Sequence, residues 1–417
     1  MLEFMLIQFK CANYRSIKEE IVFSMLATKD ETYSNYLLGE TSKLRINPVC
    51  AIYGANGAGK TNLINAIDYL SHIVSTSVNL QYQDVLPYYP HKMSQEGLPS
   101  SFEIQFLEDG VRYVYGVSLT NKEIMDEYLY YFPNGRQAKI FDRKHQTYTY
   151  GLNFKKVLSE IAESKMKENR LFLSSAASWC NIEDVLKVFH YIRQKLVVYQ
   201  GFRNDNWFEY TLQNIEKDVE FKEEFLKFLQ TLGVNIHDIE INNHLMMLLN
   251  EDLPANLPEE LKSFLNGKEF KKSDVVFKYP HMDISLSEES LGINKLFELG
   301  GPLLEILGNG EVLVFDELET SLHPNLVVHL IQLFLNPVIN KKGAQLIFTT
   351  HDTNLLNLDL FRRDQIWFVE KTNNQFSDFY SLAQLKNVRK DENIEKGYIA
   401  GKYGSIPFLH NNTFFLK

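Results

Sequence analysis

The chain has 417 residues, 45% of them hydrophobic, a length that predicts one large α/β module with inserted subdomains. Its formal net charge of −10 argues against a protein that binds nucleic acid over its whole surface. Its three cysteines are scattered without metal-ligand spacing, so neither a disulfide scaffold nor a zinc site is expected. Because no apolar run approaches the roughly 18 residues of a membrane helix and no signal peptide opens the chain, we expect a cytoplasmic protein without a membrane partner.

The first chemical motif along the chain is a phosphate-binding loop. Residues 54–61 match G-x-x-x-x-G-K-[ST]; an apolar, strand-like run precedes them, and apolar residues at helical spacing follow. Strand, glycine turn and helix form the context in which backbone N–H groups cradle phosphates. Lys60 is expected to reach the β- and γ-phosphates, and the Thr61 hydroxyl to bind Mg²⁺. The residues predicted to hold the nucleotide here are Asn56, Gly57, Ala58, Gly59, Lys60, Thr61 and Asn62.

Strand patterns and then helical patterns follow the loop. Residues 102–106 alternate in polarity, and a second strand-like segment, residues 112–119, follows them after a glycine turn. This pattern predicts a hairpin in an antiparallel sheet. From residue 154 to about residue 232 the pattern is helical without a sustained heptad, which predicts a compact helical insertion. We therefore divide the chain into an N-terminal lobe (1–150), a mainly helical insertion (151–275) and a C-terminal lobe (276–417).

A second anion-binding element is predicted at Ser290. Ser290-Leu291-Gly292 precedes apolar residues close to helical spacing, and a hydroxyl with free backbone N–H groups at a helix N-terminus binds anions. The alternative is an ordinary helix that begins with serine and glycine.

Two acidic residues follow a short apolar run farther along the chain. Residues 312–315 read Val-Leu-Val-Phe, which is typical of a strand buried on both faces, and Asp316 and Glu317 come directly after them. The ligand crevice of a parallel sheet lies at the carboxyl ends of its strands. Asp316 therefore suits a Mg²⁺ contact, and Glu317 suits polarising the water that attacks the γ-phosphate. The alternative is a solvated strand end.

His351 follows another buried run, residues 344–348. A histidine in this position can contact the γ-phosphate or orient the attacking water. A structural histidine is the alternative interpretation.

The order of these motifs resembles the ABC-type ATPases, and within them the soluble SMC, RecF and OLD branch. The segment 9–17 is similar to the opening strand and turn of that branch, which implies that Arg15 and Ser16 lie near the nucleotide. Residues 287–296, which include Ser290-Leu291-Gly292, resemble the signature motif of these ATPases, with Leu291 in place of the first glycine of the common motif. Ser321-Leu322-His323-Pro324 resembles their D-loop. The resemblance implies an α/β fold, a P-loop NTPase of the ABC-ATPase head type with a mixed sheet, an antiparallel subdomain and a helical insertion.

The same resemblance implies a two-subunit mechanism that uses ATP and Mg²⁺. In the family, the serine and glycine that correspond to Ser290 and Gly292 bind the γ-phosphate of ATP held by the opposite protomer, so a homodimer or higher homo-oligomer is expected. The closing segment, residues 401–408, is similar to the end of short, single-module members from phage-defence operons. About 65 residues follow His351, too few for the nuclease domain of full-length OLD proteins. We therefore expect a separate effector protein, a nuclease or a toxin.

Three functions are compatible with these motifs. The first is a regulatory or sensor ATPase of bacterial anti-phage defence, the second a RecF- or SMC-like ATPase of DNA repair or recombination, and the third a nucleotide clamp that barely hydrolyses ATP. Glu317 and His351 argue against the clamp, because passive binding needs neither. Basic runs at 165–170 and 386–390 leave nucleic acid open as a partner, although such runs are more often solvated faces.

Overall fold

The structure is a computed structural model that describes residues 4–39, 44–201, 204–247, 249, 257–386, 388–389 and 392–407. It contains two compact units. The first unit comprises Met1–Phe202, Ile306–Thr320 and Pro324–Lys417, and the second comprises Arg203–Glu305 and Ser321–His323. Among the described helices, none is long and apolar enough to cross a membrane.

The described chain contains strands and α-helices with the following bounds. The strands are β1 Phe4–Ala12, β2 Ile21–Ser24, β3 Val49–Gly54, β4 Ser100–Glu108, β5 Val111–Leu119, β6 Ile124–Phe132, β7 Ala138–Lys144, β8 Thr147–Tyr150, β9 Leu196–Tyr199, β10 Asp238–Met247, β11 Glu269–Lys278, β12 Asp283–Ser285, β13 Val312–Phe315, β14 Gln345–Thr349, β15 Ile366–Lys371 and β16 Ser377–Ser381. The helices are α1 Lys60–Thr76, α2 Lys155–Lys165, α3 Phe172–Trp179, α4 Glu183–His190, α5 Asp205–Lys217, α6 Val219–Thr231, α7 Glu259–Leu265, α8 Leu291–Asn309, α9 Pro324–Leu335 and α10 Ile394–Ile399.

A mixed sheet forms the centre of the first unit. Within the described residues its order is β16-β15-β3-β14-β13-β9, and all neighbouring strands are parallel except β15 and β16. The residues of β3, β13 and β14 are buried throughout, as expected for strands covered on both faces. Helix α1 buries the apolar face that the sequence predicts, formed by Leu63, Ile64, Ile67 and Leu70.

The second sheet of the first unit is antiparallel, with the order β2-β1-β4-β5-β6-β7-β8 in the described residues. The predicted hairpin is confirmed, since β4 and β5 pair from Ser100 with Leu119 to Glu108 with Val111. Buried aromatic and aliphatic side chains of this sheet and of α1 share one hydrophobic core. The mixed α/β class with an antiparallel subdomain is therefore confirmed.

One strand of the mixed sheet lies inside the region that the sequence predicts as helical. Strand β9, Leu196-Val197-Val198-Tyr199, pairs in parallel with β13, so the prediction of helices throughout 154–232 is wrong at this point. The run is four residues long and has two β-branched residues at its centre. These residues suit a pleated surface, but a run this short gives too weak a periodic signal to separate strand from helix.

The second unit packs α5, α6 and the start of α8 with a three-stranded antiparallel sheet in the order β10-β11-β12. Phe297 of α8 lies at its centre, with its ring centroid 5.6 Å from that of Phe225 and 6.1 Å from that of Phe277. The predicted helix after Ser290 is thus present as α8 and contributes its apolar face to this core.

Candidate functional site

The loop between β3 and α1 has the backbone shape that its glycines predict. Gly57 and Gly59 have φ angles of +76° and +113°, a region that L side chains rarely adopt. Gly59 is also confined, because a Cβ there would lie 2.1 Å from Ser377 Oγ. At Gly54 a Cβ would lie 2.4 Å from Val369 O on the neighbouring strand β15. Backbone conformation and close packing therefore both require glycine in this loop.

Lys60 occupies the centre of the site. Its Nζ donates a hydrogen bond to Gly54 O at 2.8 Å and lies 3.0 Å from His351 Nε2. An ammonium group only donates, so His351 Nε2 is the acceptor in this pair. Burial lowers the pKa of Lys60 to about 8, against the opposing effect of the carboxylates of Asp316, Glu317 and Glu319. The P-loop lysine and the histidine after β14 are thus in contact although they are far apart in sequence.

Thr349, the last residue of β14, connects the two acidic residues that follow β13. Its hydroxyl donates to Asp316 Oδ1 at 2.5 Å and accepts from the backbone N–H of Glu317 at 2.8 Å. The Asp316 backbone N–H donates to Tyr199 O of β9, so the strand end is held from both sides. Asp316 is buried, whereas Glu317 is exposed and has a φ of +56°. Outliers of this kind are concentrated at functional sites.

His351 is held through its backbone by a carboxylate that no sequence motif indicates. Its N–H donates to Glu319 Oε1 at 2.6 Å, while Glu319 Oε2 is buried without a hydrogen-bond partner among the described residues. Burial and then the Lys60 cation lower the pKa of His351, and the nearby carboxylates oppose this shift. The sequence indicates Glu319 only weakly, as a third acidic residue two positions after Glu317.

The N-terminal turn also lies at the P-loop. Asn62 Nδ2 donates to Ser16 Oγ at 2.6 Å, and Ser16 Oγ lies 2.7 Å from Ser377 Oγ. Ser377 Oγ in turn donates to the backbone oxygen of Ala58. The neighbouring Arg15 donates its backbone N–H to Tyr89 O at 2.7 Å. Ser16 and Ser377 therefore support the phosphate loop from outside, and Ser377 is a residue that the sequence motifs did not reveal.

The remaining predicted residues differ in placement. Asn56 and Thr61 are exposed at the loop and at the first turn of α1, whereas Ala58 is buried. Ser290 and Gly292 belong to the second unit. Ser290 is exposed, and its Oγ accepts from the Ile293 N–H at 3.3 Å as an N-terminal helix cap does.

The oxygen ligands present fit a nucleotide-bound Mg²⁺ better than a resident metal. No group of three or more His, Cys, Asp or Glu residues able to hold a metal occurs among the described residues. The Thr61 hydroxyl and the Asp316 carboxylate are hard oxygen donors of the kind that Mg²⁺ binds in small number, with phosphates and water completing its shell. We assign these two residues as the candidate metal ligands.

No curated protein matches the sequence. The SMC head domain from Thermotoga maritima is 14% identical, with a TM-score of 0.42 over 90% of this chain and 98% of that one. The Smc head domain with an extended coiled coil, bound to the C-terminal domain of ScpA, from Pyrococcus furiosus is 13% identical, with a TM-score of 0.36 over 91% of this chain and 96% of that one.

A protein-family model matches residues 49–357, a span that contains the P-loop, Asp316, Glu317 and His351. Its description is "AAA domain, putative AbiEii toxin, Type IV TA system". The match covers well over half of the chain, and so this protein belongs to that AAA-domain family.

Proposed function

We propose that this protein binds and hydrolyses ATP with Mg²⁺ and acts as an ATP-dependent homodimer that regulates a separate effector. The contact of Lys60 with His351, 3.0 Å apart, is the observation that carries the proposal. It brings the residue suited to hold the γ-phosphate together with a residue suited to sense it. A mere phosphate cradle would need Lys60 but no histidine after β14.

The acidic residues supply the remaining hydrolytic roles in this proposal. Glu317 is exposed at the strand end, where its carboxylate acts as general base for the attacking water. Thr61 and Asp316 would hold Mg²⁺, which would neutralise charge on the phosphates. Thr349 keeps Asp316 and Glu317 in register through its two hydrogen bonds. These separate roles support an enzyme that hydrolyses ATP over a clamp that only binds it.

A role in anti-phage defence is the cellular function that we propose. The family description refers to a type IV toxin–antitoxin system, and the closing segment of the sequence resembles the end of short ATPases of phage-defence operons. Both support an ATPase that controls a separate nuclease or toxin in the cytoplasm. DNA repair or recombination of the RecF and SMC kind is the alternative, and stimulation of turnover by DNA of any sequence would favour it.

Steady-state hydrolysis and equilibrium binding of ATP by two variants test the proposal. Glu317→Gln should retain ATP binding, lose turnover by on the order of a hundredfold or more, and accumulate as an ATP-bound dimer. Lys60→Ala should lose nucleotide affinity and with it any nucleotide-dependent assembly.

The two variants separate the possible failures. Near-normal ATP turnover by the Glu317→Gln variant would show that Glu317 is not the general base. Unchanged affinity in Lys60→Ala would mean that Lys60 does not hold the phosphates, and absence of ATP hydrolysis by the unmodified protein would reject the enzymatic proposal itself.

A further inference from the structure

A buried tyrosine hydroxyl lies one residue before the phosphate loop. Tyr53, which precedes Gly54 in β3, is 1% exposed, and its hydroxyl has no hydrogen-bond partner among the described residues. Gly54 is the residue whose backbone oxygen accepts the bond from Lys60 Nζ. Buried hydroxyl groups are nearly always hydrogen-bonded, because removing one from water without a new partner costs free energy. The position of Tyr53 therefore calls for a partner that the protein side chains alone do not supply.

Glu319 offers an acceptor with the same property. Its Oε1 accepts the His351 N–H at 2.6 Å, whereas its Oε2 is buried without a hydrogen-bond partner in the part of the chain that the structure describes. Both oxygens of a carboxylate accept hydrogen bonds. One side of Glu319 therefore holds His351, and the other side can accept a further donor.

The pairing of β3 with β14 brings the two unpartnered groups to the same strand end. The backbone N–H of Thr350 donates to Ile52 O at 3.1 Å, so Tyr53 lies beside the turn that follows Thr350. Burial, followed by the charges of Asp352 and Glu319, raises the pKa of the Tyr53 hydroxyl well above its ordinary value. The Coulomb interaction weakens with distance, so these carboxylates lie near the hydroxyl.

Aromatic rings pack against the Tyr53 side chain. Its ring centroid lies 6.3 Å from that of Phe368 and 6.0 Å from that of Tyr398, and the last two rings are stacked with centroids 5.5 Å apart. The Tyr398 hydroxyl differs from that of Tyr53, because it donates to the backbone oxygen of Ser405 at 3.0 Å. Apolar surroundings increase the cost of an unpaired hydroxyl, which makes a partner for Tyr53 more necessary.

We propose that Tyr53 positions His351 through Glu319, with one bound water molecule that accepts from the Tyr53 hydroxyl and donates to Glu319 Oε2. Buried waters commonly bridge polar groups that would otherwise be unsatisfied. The bridge fixes the Glu319 carboxylate and, through it, the backbone of His351, whose Nε2 lies 3.0 Å from Lys60 Nζ. The inference rests on the proposed ATP hydrolysis and adds a positioning residue to the same site.

Steady-state hydrolysis and equilibrium binding of ATP by the full chain test the role of the hydroxyl. Tyr53→Phe removes the hydroxyl and keeps the ring. ATP turnover should fall about fivefold, the rate equivalent of one net hydrogen bond, while ATP affinity stays unchanged. Tyr398→Phe is the matched control, because it removes a hydroxyl from the same aromatic cluster whose partner is Ser405. Its turnover should match that of the unmodified protein.

A double variant separates positioning through Glu319 from a general effect on packing. If Tyr53 acts through Glu319, Tyr53→Phe combined with Glu319→Ala should lose no more turnover than Glu319→Ala alone, about tenfold. Independent effects would instead multiply to about fiftyfold. A crystal structure of the unmodified protein should show an ordered water bonded to both Tyr53 Oη and Glu319 Oε2.

Several results would overturn the proposal. Full turnover by Tyr53→Phe, an equal loss in Tyr398→Phe, or multiplied losses in the double variant would each reject positioning through Glu319. A loss of ATP affinity in Tyr53→Phe would assign the hydroxyl to the phosphate loop instead, and a dry site in the crystal structure would reject the bridge. Absence of ATP hydrolysis by the unmodified protein would reject the proposed function, while the crystal structure would still decide whether the bridge exists.

Discussion

At the scale of single residues, the candidate site depends on a few hydrogen bonds between distant strand ends. Thr349 bonds to both Asp316 and Glu317, and Glu319 bonds to the backbone of His351. Neither Thr349 nor Glu319 is expected to touch phosphate. They orient the groups that would, and we regard them as positioning residues.

The first prediction concerns Glu319. Replacing Glu319 with alanine removes the acceptor of the His351 N–H, an exposed hydrogen bond to a charged group whose loss costs about 1.5 kcal/mol. We expect ATP turnover to fall about tenfold, because each 1.36 kcal/mol in the barrier is tenfold in rate. ATP affinity, measured by equilibrium binding, should change little.

Glu319→Gln is the matched control, since its amide oxygen can still accept the same bond. It should retain most of the turnover. An equally large loss of ATP turnover in Glu319→Ala and Glu319→Gln would show that the charge of Glu319 matters, and not the hydrogen bond to His351.

A second residue-scale prediction concerns pH and stability. Burial, followed by the charge of Asp109, raises the pKa of Glu108 from its ordinary value of 4.5 to about 7. Since the pKa is higher in the folded chain, the contribution of Glu108 to stability is greatest below pH 4.5 and is lost as the pH rises through about 7. Glu108→Gln should therefore raise the free energy of unfolding at pH 8 by about 1–3 kcal/mol relative to the unmodified protein.

Urea unfolding at pH 5 and pH 8 measures this difference. The advantage of Glu108→Gln should shrink toward pH 5, where the carboxyl group of the folded protein is protonated. A constant difference between the two proteins at both pH values would contradict the assigned shift.

At the scale of elements, helix α8 shows how glycine permits close packing. A Cβ on Gly300 would lie 2.5 Å from the Phe225 ring and 2.8 Å from the Phe228 ring. In the same helix, Gly308 is exposed and has nothing within 4 Å of the corresponding position. The two glycines therefore differ in packing while sharing a helical context.

This pair gives a matched stability prediction. Gly300→Ala should lower the free energy of unfolding by about 1–3 kcal/mol, because it overpacks the core of the second unit. Gly308→Ala should be neutral or stabilising by about 0.5–1 kcal/mol, because alanine is the better helix former. Chemical denaturation measures both, and similar effects of the two changes would contradict the packing explanation.

At the scale of the whole molecule, the proposed mechanism needs two copies. The phosphate loop, Asp316, Glu317 and His351 all belong to the first unit, whereas Ser290 and Gly292 belong to the second. In the proposed dimer, the Ser290 region of one protomer completes the ATP site of its partner. The helix-capping bond of Ser290 to Ile293 leaves its hydroxyl proton available to an anion.

The corresponding prediction uses Ser290→Arg. The bulky side chain should block closure of the dimer and abolish hydrolysis while ATP binding by each protomer stays nearly intact. Binding and turnover measured on the same preparation distinguish these effects. Normal hydrolysis by Ser290→Arg alone would reject the two-subunit mechanism.

Mixing Ser290→Arg with Lys60→Ala tests the composite site directly. A mixed dimer contains one site with an intact P-loop facing an intact Ser290 region. Partial recovery of turnover is expected in the mixture, and its absence would indicate that two intact sites must act together.

The sequence alone determined the elements whose signals are local. The P-loop turn follows from glycine spacing, the buried face of α1 from helical periodicity, and the β4–β5 hairpin from alternation across a glycine turn. Each signal is contained in a few neighbouring residues, because backbone conformation and side-chain period are local properties. The order of the motifs also indicated Lys60, Asp316, Glu317 and His351 as candidate site residues.

Only the tertiary structure decided which of these residues meet. The Lys60–His351 contact joins residues 291 positions apart, and the Glu319–His351 bond joins residues 32 apart. Strand β9 belongs to the mixed sheet through its parallel pairing with β13, a strand more than 100 residues farther along the chain. These contacts depend on how strands are ordered in a sheet, and no local pattern encodes that order.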